Sequence, residues 1–194
     1  MTSTTSPTTS PSTSPRDRLL ETAADLFYRE GIHGVGVDKV LAEAGVTRAT
    51  MYRHFAGKEG LVVAYLERED ANLRALFAQA AQSGAAPEQL VGLVIEGIAE
   101  DAGRFHTRGC PFINAAAEFP DPDSEVRQVV RRHREWFRST LADVMRAAGH
   151  PDPDGAAAAL VLLRDATLVG VYLDPDDDPV GAFRRTARQI TGLD

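Results

Sequence analysis

The amino-acid sequence predicts an all-α protein of about nine helices, in which a small N-terminal three-helix domain precedes a larger helical body. Apolar residues recur at spacings of three and four along most of the chain, which is the period of an α-helix. Clusters of glycine and proline separate these segments at short intervals. One short stretch, residues 45–58, carries cations and no acidic side chain, although the formal net charge of the chain is -7.

Local start and stop signals define the first three helices. Pro15 suits the first turn of a helix that ends at Gly31. Gly36 stands at the cap of a second helix, Gly45 supplies a tight turn, and Thr47 caps a third helix. The predicted buried positions of the second and third helices are Val37, Val40, Leu41, Ala44, Val46, Met51 and Phe55. Two short helices across a glycine turn predict a helix-turn-helix, which presents its second helix to the major groove of DNA.

The remaining chain divides into a tail and a body. The Thr/Ser/Pro tract of residues 1–14 lacks apolar residues after Met1 and is predicted to be disordered. We assign residues 15–60 to the helix-turn-helix domain and residues 61–194 to the body. The helices of the body are predicted over about residues 58–82, 87–104, 124–148, 156–173 and 180–190, and residues 108–119 are predicted to form a break followed by a short helix of small residues.

The last two helices of the body are predicted to form a homodimer interface. The eighth helix is apolar around almost its whole circumference and therefore needs cover on two sides. The last helix carries a narrow apolar seam at 3-4-3 spacing, formed by Val180, Phe183, Ala187 and Ile190. We expect both helices to pair with their copies in a second subunit.

Composition limits the cellular setting of the protein. The single cysteine, Cys110, excludes an internal disulfide framework and fits a reducing compartment. We expect no apolar run near the length of about 20 residues that crosses a bilayer, and residues 1–14 lack the basic and apolar regions of a secretory signal. The sequence therefore predicts a cytoplasmic protein without a membrane segment.

The third helix is predicted to present a surface that suits DNA. Its buried positions leave small, hydroxylated, aromatic and cationic side chains on the outside: Arg48, Ala49, Thr50, Tyr52, Arg53 and His54. Such groups contact phosphates and base edges. Residues 16–60 hold seven basic and seven acidic residues, so the rest of the chain carries the whole net charge of -7. A neutral domain with few cations binds DNA weakly alone, which predicts paired half-sites and a dimer.

At these residues the chain resembles a known family. The run from Gly45 to Phe55, continued by Lys58-Glu59-Gly60-Leu61, is similar to the DNA-binding motif of the TetR family of transcriptional regulators. The similarity extends back through Ala23-Ala24-Asp25-Leu26-Phe27 and covers about residues 16–65. The resemblance implies a homodimer without enzymatic activity, which binds double-stranded operator DNA and carries a ligand-binding and dimerisation domain. Repression relieved by a small-molecule inducer is the function that it favours.

The resemblance also implies roles for individual residues. By position in the motif, Thr47, Tyr52, His54 and Lys58 contact the DNA backbone, while Arg48, Ala49, Thr50 and Arg53 make base-edge or flanking contacts. The sequence departs from the family at Val35-Gly36-Val37, where Ser or Thr often precedes the second helix. A hydroxyl contact to phosphate is therefore not expected at that point.

The body is predicted to hold an apolar ligand cavity. Small residues at 115–117 leave room between helices, and the side chains expected to line the cavity are Cys110, Phe112, Phe119 and Trp136. Alternatively, Cys110 is a thiol switch, because Arg108 and His106 lie nearby and the segment resembles that of electrophile-responsive TetR-type repressors. No cofactor is expected, and no metal site, because His106 and Cys110 lack further ligands at suitable spacing.

Two other classes of function are compatible with parts of the sequence. An enzyme is disfavoured because no phosphate loop, metal motif or nucleophile with a matching base is present, and Cys110 with His106 or His133 is the best available pair. A helical protein-interaction module would explain the acidic body and the dimer seam. It would leave the surface of residues 45–58 unexplained.

Overall fold

Nine α-helices form the secondary structure of residues 14–193, the part of the chain that the computed structural model describes. This confirms the all-α prediction; the predicted disordered tail lies almost entirely outside the described residues. The helices are α1 (Pro15–Glu30), α2 (Val37–Ala44), α3 (Arg48–His54), α4 (Gly57–Ala81), α5 (Pro87–Glu100), α6 (Pro111–Glu118), α7 (Glu125–Ala147), α8 (Pro153–Leu173) and α9 (Pro179–Thr191).

Two irregular helical turns complete the secondary structure of the described residues. A π-helical turn, Asp101–Phe105, continues α5, and the amide of His106 donates to the carbonyl of Asp101 over 3.2 Å. A 3₁₀ turn, Pro175–Asp177, precedes α9. The sequence predicted a regular helix as far as residue 104, and Gly103 within this turn did not by itself indicate the change from α to π geometry.

The chain separates into two compact units, one ending at Leu61 and the other beginning at Val62. In the first unit, α1 packs on α2 and α3 through fully buried apolar side chains, among them Leu19, Leu26 and Met51. Ser14 caps α1 by accepting a hydrogen bond from the amide of Asp17, and Pro15 occupies the first turn. Of these two, Pro15 is the start signal that the sequence offered for this helix.

The connection between α2 and α3 is a glycine turn. Gly45 adopts a left-handed conformation with φ of 62°, and its amide donates to the carbonyl of Ala42 over 3.3 Å. A side chain at this backbone conformation is strained, which explains why glycine stands here. Thr47 then caps α3 by accepting a hydrogen bond of 3.2 Å from the amide of Thr50. The helix-turn-helix prediction is therefore confirmed in its local chemistry.

The core of the second unit lies among α5, α7, α8 and α9. Its largest fully buried side chains include Ile95, Leu141, Met145, Leu160 and Phe183. Two members of the predicted α9 seam, Phe183 and Ala187, are wholly buried in this core. These two side chains therefore pack within their own subunit, and the predicted pairing of α8 and α9 with their copies stays a prediction.

The eighth helix, α8, has one face in the core and one face exposed. Leu160 and Leu168 are fully buried, whereas Leu162, Val169, Tyr172 and Leu173 are exposed large apolar side chains. By length and composition alone α8 also passes the test for a membrane span. The expectation that no apolar run approaches that length is therefore wrong. Core helices of soluble proteins share this property, and in α8 39% of the apolar window is buried within the chain.

Candidate DNA-binding and ligand-binding sites

Helix α3 exposes the surface that the sequence predicted. Met51 is fully buried and Phe55 nearly so, and these two anchors fix which side of α3 faces outward. Four predicted DNA-binding residues on α3, Arg48, Ala49, Arg53 and His54, are exposed, as is Tyr52, with 57% of its surface accessible. The cap Thr47 is also exposed, whereas Thr50 and Lys58 are half-buried. Their proposed contacts with DNA remain predictions.

Hydrogen bonds between side chains organise the start of this surface. The hydroxyl groups of Thr47 and Thr50 lie 3.0 Å apart, and Arg53 Nη2 lies 3.5 Å from Thr50 Oγ1. These contacts orient the Thr50 hydroxyl and the Arg53 guanidinium on one side of α3. A preorganised surface loses less side-chain entropy when it binds a partner.

An ion pair joins the two helices of the helix-turn-helix. Arg48 Nη2 donates to the carboxylate of Asp38, which lies in the first turn of α2. The Asp38 carboxylate raises the pKa of Arg48 above its ordinary value, chiefly through this hydrogen bond. In the protein alone the positive charge of Arg48 is therefore balanced. Sequence reasoning missed this pair because Asp38 and Arg48 lie ten positions apart on different helices.

In the turn between α3 and α4, the ring of Tyr52 lies close to Gly57. Gly57 has φ of 73°, and a Cβ at this position would lie 3.9 Å from Tyr52 Cε1. The tyrosine ring thus covers the turn that precedes Lys58. Tyr52 therefore lies beside the N-terminus of α4, and phosphates bind favourably at helix N-termini.

The second unit contains a pocket of about 490 Å³, within the usual range for small-molecule sites. Most of its wall is apolar and comes from α4 and α5. The lining residues are Leu73, Leu76, Phe77, Gln79, Ala80, Ser83, Leu93, Val94, Gly97, Ile98, Glu100, Asp101, Phe137 and Arg164. A small neighbouring pocket of about 50 Å³ shares Leu73, Leu76, Asp101 and Arg164 with it.

The predicted cavity residues occupy other places than expected. Phe112 borders the small pocket, but Cys110, Phe119 and Trp136 border neither of these two pockets. Trp136 lies behind the wall, with its ring centroid 5.6 Å from that of Phe77. The prediction placed the cavity beside the small residues 115–117 of α6. The pocket instead lies between α4 and α5, a relationship that only the tertiary structure reveals.

Cys110 is buried immediately before α6. Its side chain is 2% exposed, and its sulfur lies 3.5 Å from Nη1 of Arg164, which lines the pocket. Access of a reagent to this sulfur therefore requires local opening of the structure. Within residues 14–193, no group of three or more His, Cys, Asp or Glu residues is placed to hold a metal ion.

A buried histidine links α4 to α7 beside the pocket. His133 Nδ1 lies 2.7 Å from Asp70 Oδ1, and the histidine ring stacks on Phe112 with centroids 3.6 Å apart. Desolvation by burial lowers the pKa of His133 to about 4, against the opposing effect of Asp70. At neutral pH the imidazole is therefore uncharged, and its Nδ1–H donates to the carboxylate of Asp70.

Together, the glycine turn, the capped and outward-facing α3, and the separate helical body define a helix-turn-helix DNA-binding regulator. Comparison with known proteins agrees. The family model for bacterial regulatory proteins of the tetR family matches residues 19–65, and the model for the tetracyclin repressor-like C-terminal domain matches residues 86–187. The chain belongs to the TetR family of transcriptional regulators, which bind DNA and are not enzymes.

Individual relatives resemble this chain over most of its length. The crystal structure of a TetR-family transcriptional regulator from Streptomyces coelicolor is 39% identical, with a TM-score of 0.86, covering 92% of this chain and 94% of that one. The transcriptional regulator AcuR of Cereibacter sphaeroides is 28% identical over 181 residues, 87% of this chain and 81% of AcuR. The transcriptional repressor NemR of Escherichia coli is 26% identical over 132 residues, 67% of this chain and 66% of NemR.

Proposed function

We propose that this protein is a cytoplasmic, homodimeric transcriptional repressor that a small-molecule inducer releases from a palindromic or near-palindromic operator. The observation that carries the proposal is the exposed, acid-free surface of α3, held in place by buried Met51 and Phe55. A pocket of about 490 Å³ in the second unit supplies a place for the inducer. The relationship to the repressor NemR supports repression as the direction of control.

The residues of α3 divide by the chemistry that they offer. We assign Thr47, Tyr52, His54 and Lys58 to phosphate contacts, because hydroxyl, imidazole and ammonium groups donate to phosphate oxygens. We assign Arg48, Ala49, Thr50 and Arg53 to base-edge or flanking contacts, because they occupy the outward side and first turn of α3. In this scheme the Arg48 guanidinium exchanges its Asp38 partner for DNA on binding.

The charge of the first unit makes a dimer necessary. Residues 16–60 carry no net charge, and the Asp38–Arg48 pair removes one cation from the free surface. Few neutralised phosphates give weak binding, because each contributes a slope of only about -0.9 to the logarithmic dependence of affinity on salt. Two units on paired half-sites, about one helical turn or a multiple apart, overcome this weakness.

The exposed face of α8 is the surface that we propose for the dimer. Leu162, Val169 and Leu173 follow one another at spacings of seven and four residues, which keeps them on one side of the helix, and Tyr172 lies next to them. Clusters of exposed large apolar side chains mark interaction surfaces. A twofold axis would bring this face of α8 against its own copy. Helix α9, which packs on α8, would pair with its copy in the same interface.

A gel-shift and footprinting experiment tests the proposal. DNA from upstream of the protein's own coding region is the first probe, because autoregulation is common in the family. We expect a footprint over two inverted half-sites with two subunits bound. A footprint over one unrepeated half-site, occupied by a single subunit, would contradict the proposed dimeric operator complex.

The thiol switch remains a second candidate because of one contact. The sulfur of Cys110 touches Arg164, so a covalent adduct there would displace a residue of the pocket wall. Burial of the sulfur argues against rapid reaction. A Cys110→Ser variant that keeps a normal response to electrophiles in the gel shift excludes this candidate.

A further inference from the structure

The pocket in the second unit is apolar along most of its length and basic at one point. Leu73 and Phe77 on α4, Val94 and Ile98 on α5, and Phe137 on α7 form apolar wall. Arg164 of α8 is the one basic residue among the lining residues of the described chain. Such a wall fits a ligand with an apolar body and one polar head group.

Arg164 is buried with most of its hydrogen-bonding capacity unused. The residue is 5% exposed. Within the described part of the chain its hydrogen bonds come from Nη1 alone, at 3.5 Å to the sulfur of Cys110 and at 3.4 Å to Oδ1 of Asp165. Both contacts are long, and neither uses Nε or Nη2. A guanidinium has five N–H donors, so Arg164 retains donors for a further acceptor at the pocket wall.

The nearest carboxylate does not satisfy this guanidinium. Asp165 lies closer to another arginine, with its Oδ2 2.8 Å from Nη1 of Arg134. Its attraction is therefore shared between two cations. Arg164 also lies over the ring of Phe137, 5.3 Å from the centroid, which holds the charge beside the apolar wall of the pocket.

Two acidic residues also border the pocket, and both have partners of their own. Glu100 is largely exposed, and its Oε1 lies 3.2 Å from Nη1 of Arg104. Asp101 is half-buried, with Oδ2 3.0 Å from Nδ1 of His106. A cationic ligand would therefore compete with Arg104 for Glu100 and with His106 for Asp101, and the Glu100 contact is exposed to solvent. An incoming anion would find unused donors on a buried guanidinium.

We propose that the pocket binds an amphipathic organic anion, whose carboxylate pairs with Arg164 while its apolar body lies against α4 and α5. This inference rests on the proposed function, since it identifies the chemical class of the inducer. A carboxylate matches the planar donor edge of arginine and accepts two parallel hydrogen bonds from it. The volume of about 490 Å³ accommodates a medium-length aliphatic or aromatic acid.

Three ligands that share the same apolar tail and differ only in their head group test the inference on the full-length protein without DNA. The probes are octanoate, 1-octanol and octylammonium. Trp136 is the single tryptophan of the chain and contacts Phe77 of the pocket wall, so its fluorescence reports occupancy. We expect octanoate to bind at least about tenfold more tightly than octanol, and octylammonium to bind most weakly. Octylammonium binding as tightly as octanoate, or more tightly, overturns the inference.

Arg164→Gln separates the head-group contact from the apolar contacts. In this variant octanoate affinity should fall to the level of octanol, while octanol affinity stays unchanged. Arg138→Gln, at an exposed position of α7, is the matched control and should alter neither. A folded Arg164→Gln protein that keeps the octanoate preference overturns the inference. If circular dichroism shows that this variant does not fold, the head-group series on the unaltered protein decides.

Because the binding measurement contains no DNA, its result is independent of operator binding. A gel shift with and without octanoate then tests release separately. An octanoate preference in a protein that binds no operator supports the ligand class and contradicts the repressor function. Operator binding without any octanoate preference supports the repressor function and overturns the ligand class.

Discussion

The carboxylate of Asp70 on α4 and the imidazole of His133 on α7 form a hydrogen bond of 2.7 Å across two helices of the second unit. Asp70 also accepts a hydrogen bond of 2.6 Å from Nε of Arg74, so both sides of the carboxylate are engaged. His133 is 2% exposed, and its Nε2 has no hydrogen-bond partner within the described residues. The pair fixes α4 against α7 at neutral pH, when the histidine carries no charge.

The first prediction concerns acid stability. Burial lowers the pKa of His133 from 6.5 to about 4. Between these values the unfolded chain binds a proton at this position and the folded chain does not, so stability is full above pH 6.5 and declines as the pH falls toward 4. The loss should reach up to about 3 kcal/mol, measured by urea unfolding across this range.

A His133→Gln variant isolates that effect. Glutamine donates to Asp70 without titrating, so the variant should lose stability at neutral pH and show a shallower dependence between pH 6.5 and 4. His54, which is exposed on α3, supplies the control substitution His54→Gln, whose pH dependence should match that of the unaltered protein. If the free energy of unfolding fell equally steeply with pH in all three proteins, His133 would be excluded as the source of the acid sensitivity.

The second prediction concerns the cations of α3. Arg53→Ala should weaken operator binding by about 1–3 kcal/mol if the guanidinium contacts a base, and relax specificity at one position of each half-site. Arg138→Ala, an exposed arginine of α7, should leave operator affinity unchanged. Gel shifts with operator variants measure the affinity of each protein and its dependence on the base sequence. A purely electrostatic role would instead weaken binding equally to all sequences.

The third prediction concerns the ion pair between α2 and α3. Asp38→Asn should free Arg48 and strengthen non-specific DNA binding, because one more cation becomes available to phosphate. The slope of log affinity against log salt should become steeper by about 1 per subunit. Asp25→Asn is the matched control, since Asp25 forms an exposed ion pair of 2.9 Å with Arg29 on α1. If the two variants showed the same slope of log affinity against log salt, Asp38 would have no role in limiting the contacts of Arg48 with DNA.

The fourth prediction concerns the dimer. Leu162 is 69% exposed on α8, so Leu162→Glu should leave the fold intact while a twofold interface receives the charge twice. We expect light scattering to show a monomer at micromolar concentration, and operator affinity to fall in parallel. Ala147→Glu, at an exposed position near the end of α7, should remain dimeric. A dimeric Leu162→Glu protein would show that another surface joins the subunits.

Local chemistry made the first unit predictable from the sequence. Gly45, Thr47 and Pro15 act on their own helix or turn, so their types alone indicate conformation. Met51 and Phe55 then set the outward side of α3 by the helical period. The same reasoning placed α7 and α8 within a few residues of their observed bounds.

Contacts between distant residues escaped prediction. Asp70 and His133 are 63 positions apart, and no local pattern distinguishes them from ordinary surface charges. The pocket depends on how α4 and α5 approach each other, whereas the prediction relied on small residues at 115–117 to leave room between helices. The seam of α9 was recognised as apolar. Its periodicity could not indicate whether the facing surface belongs to the same subunit.

Because of the π turn at the end of α5, deletion of a single codon could change the side chains at one end of the pocket. Its hydrogen bond from His106 to Asp101 spans five residues, one more than an α-helical bond spans. Deleting one residue from Asp101–Phe105 would let the turn continue α5 with α-helical hydrogen bonds, and the side chains around the deletion would occupy new positions. Acidic groups at the pocket edge could thus be exchanged while the buried face of α5 keeps its packing. Related proteins could diversify their ligands by such length changes without altering the core.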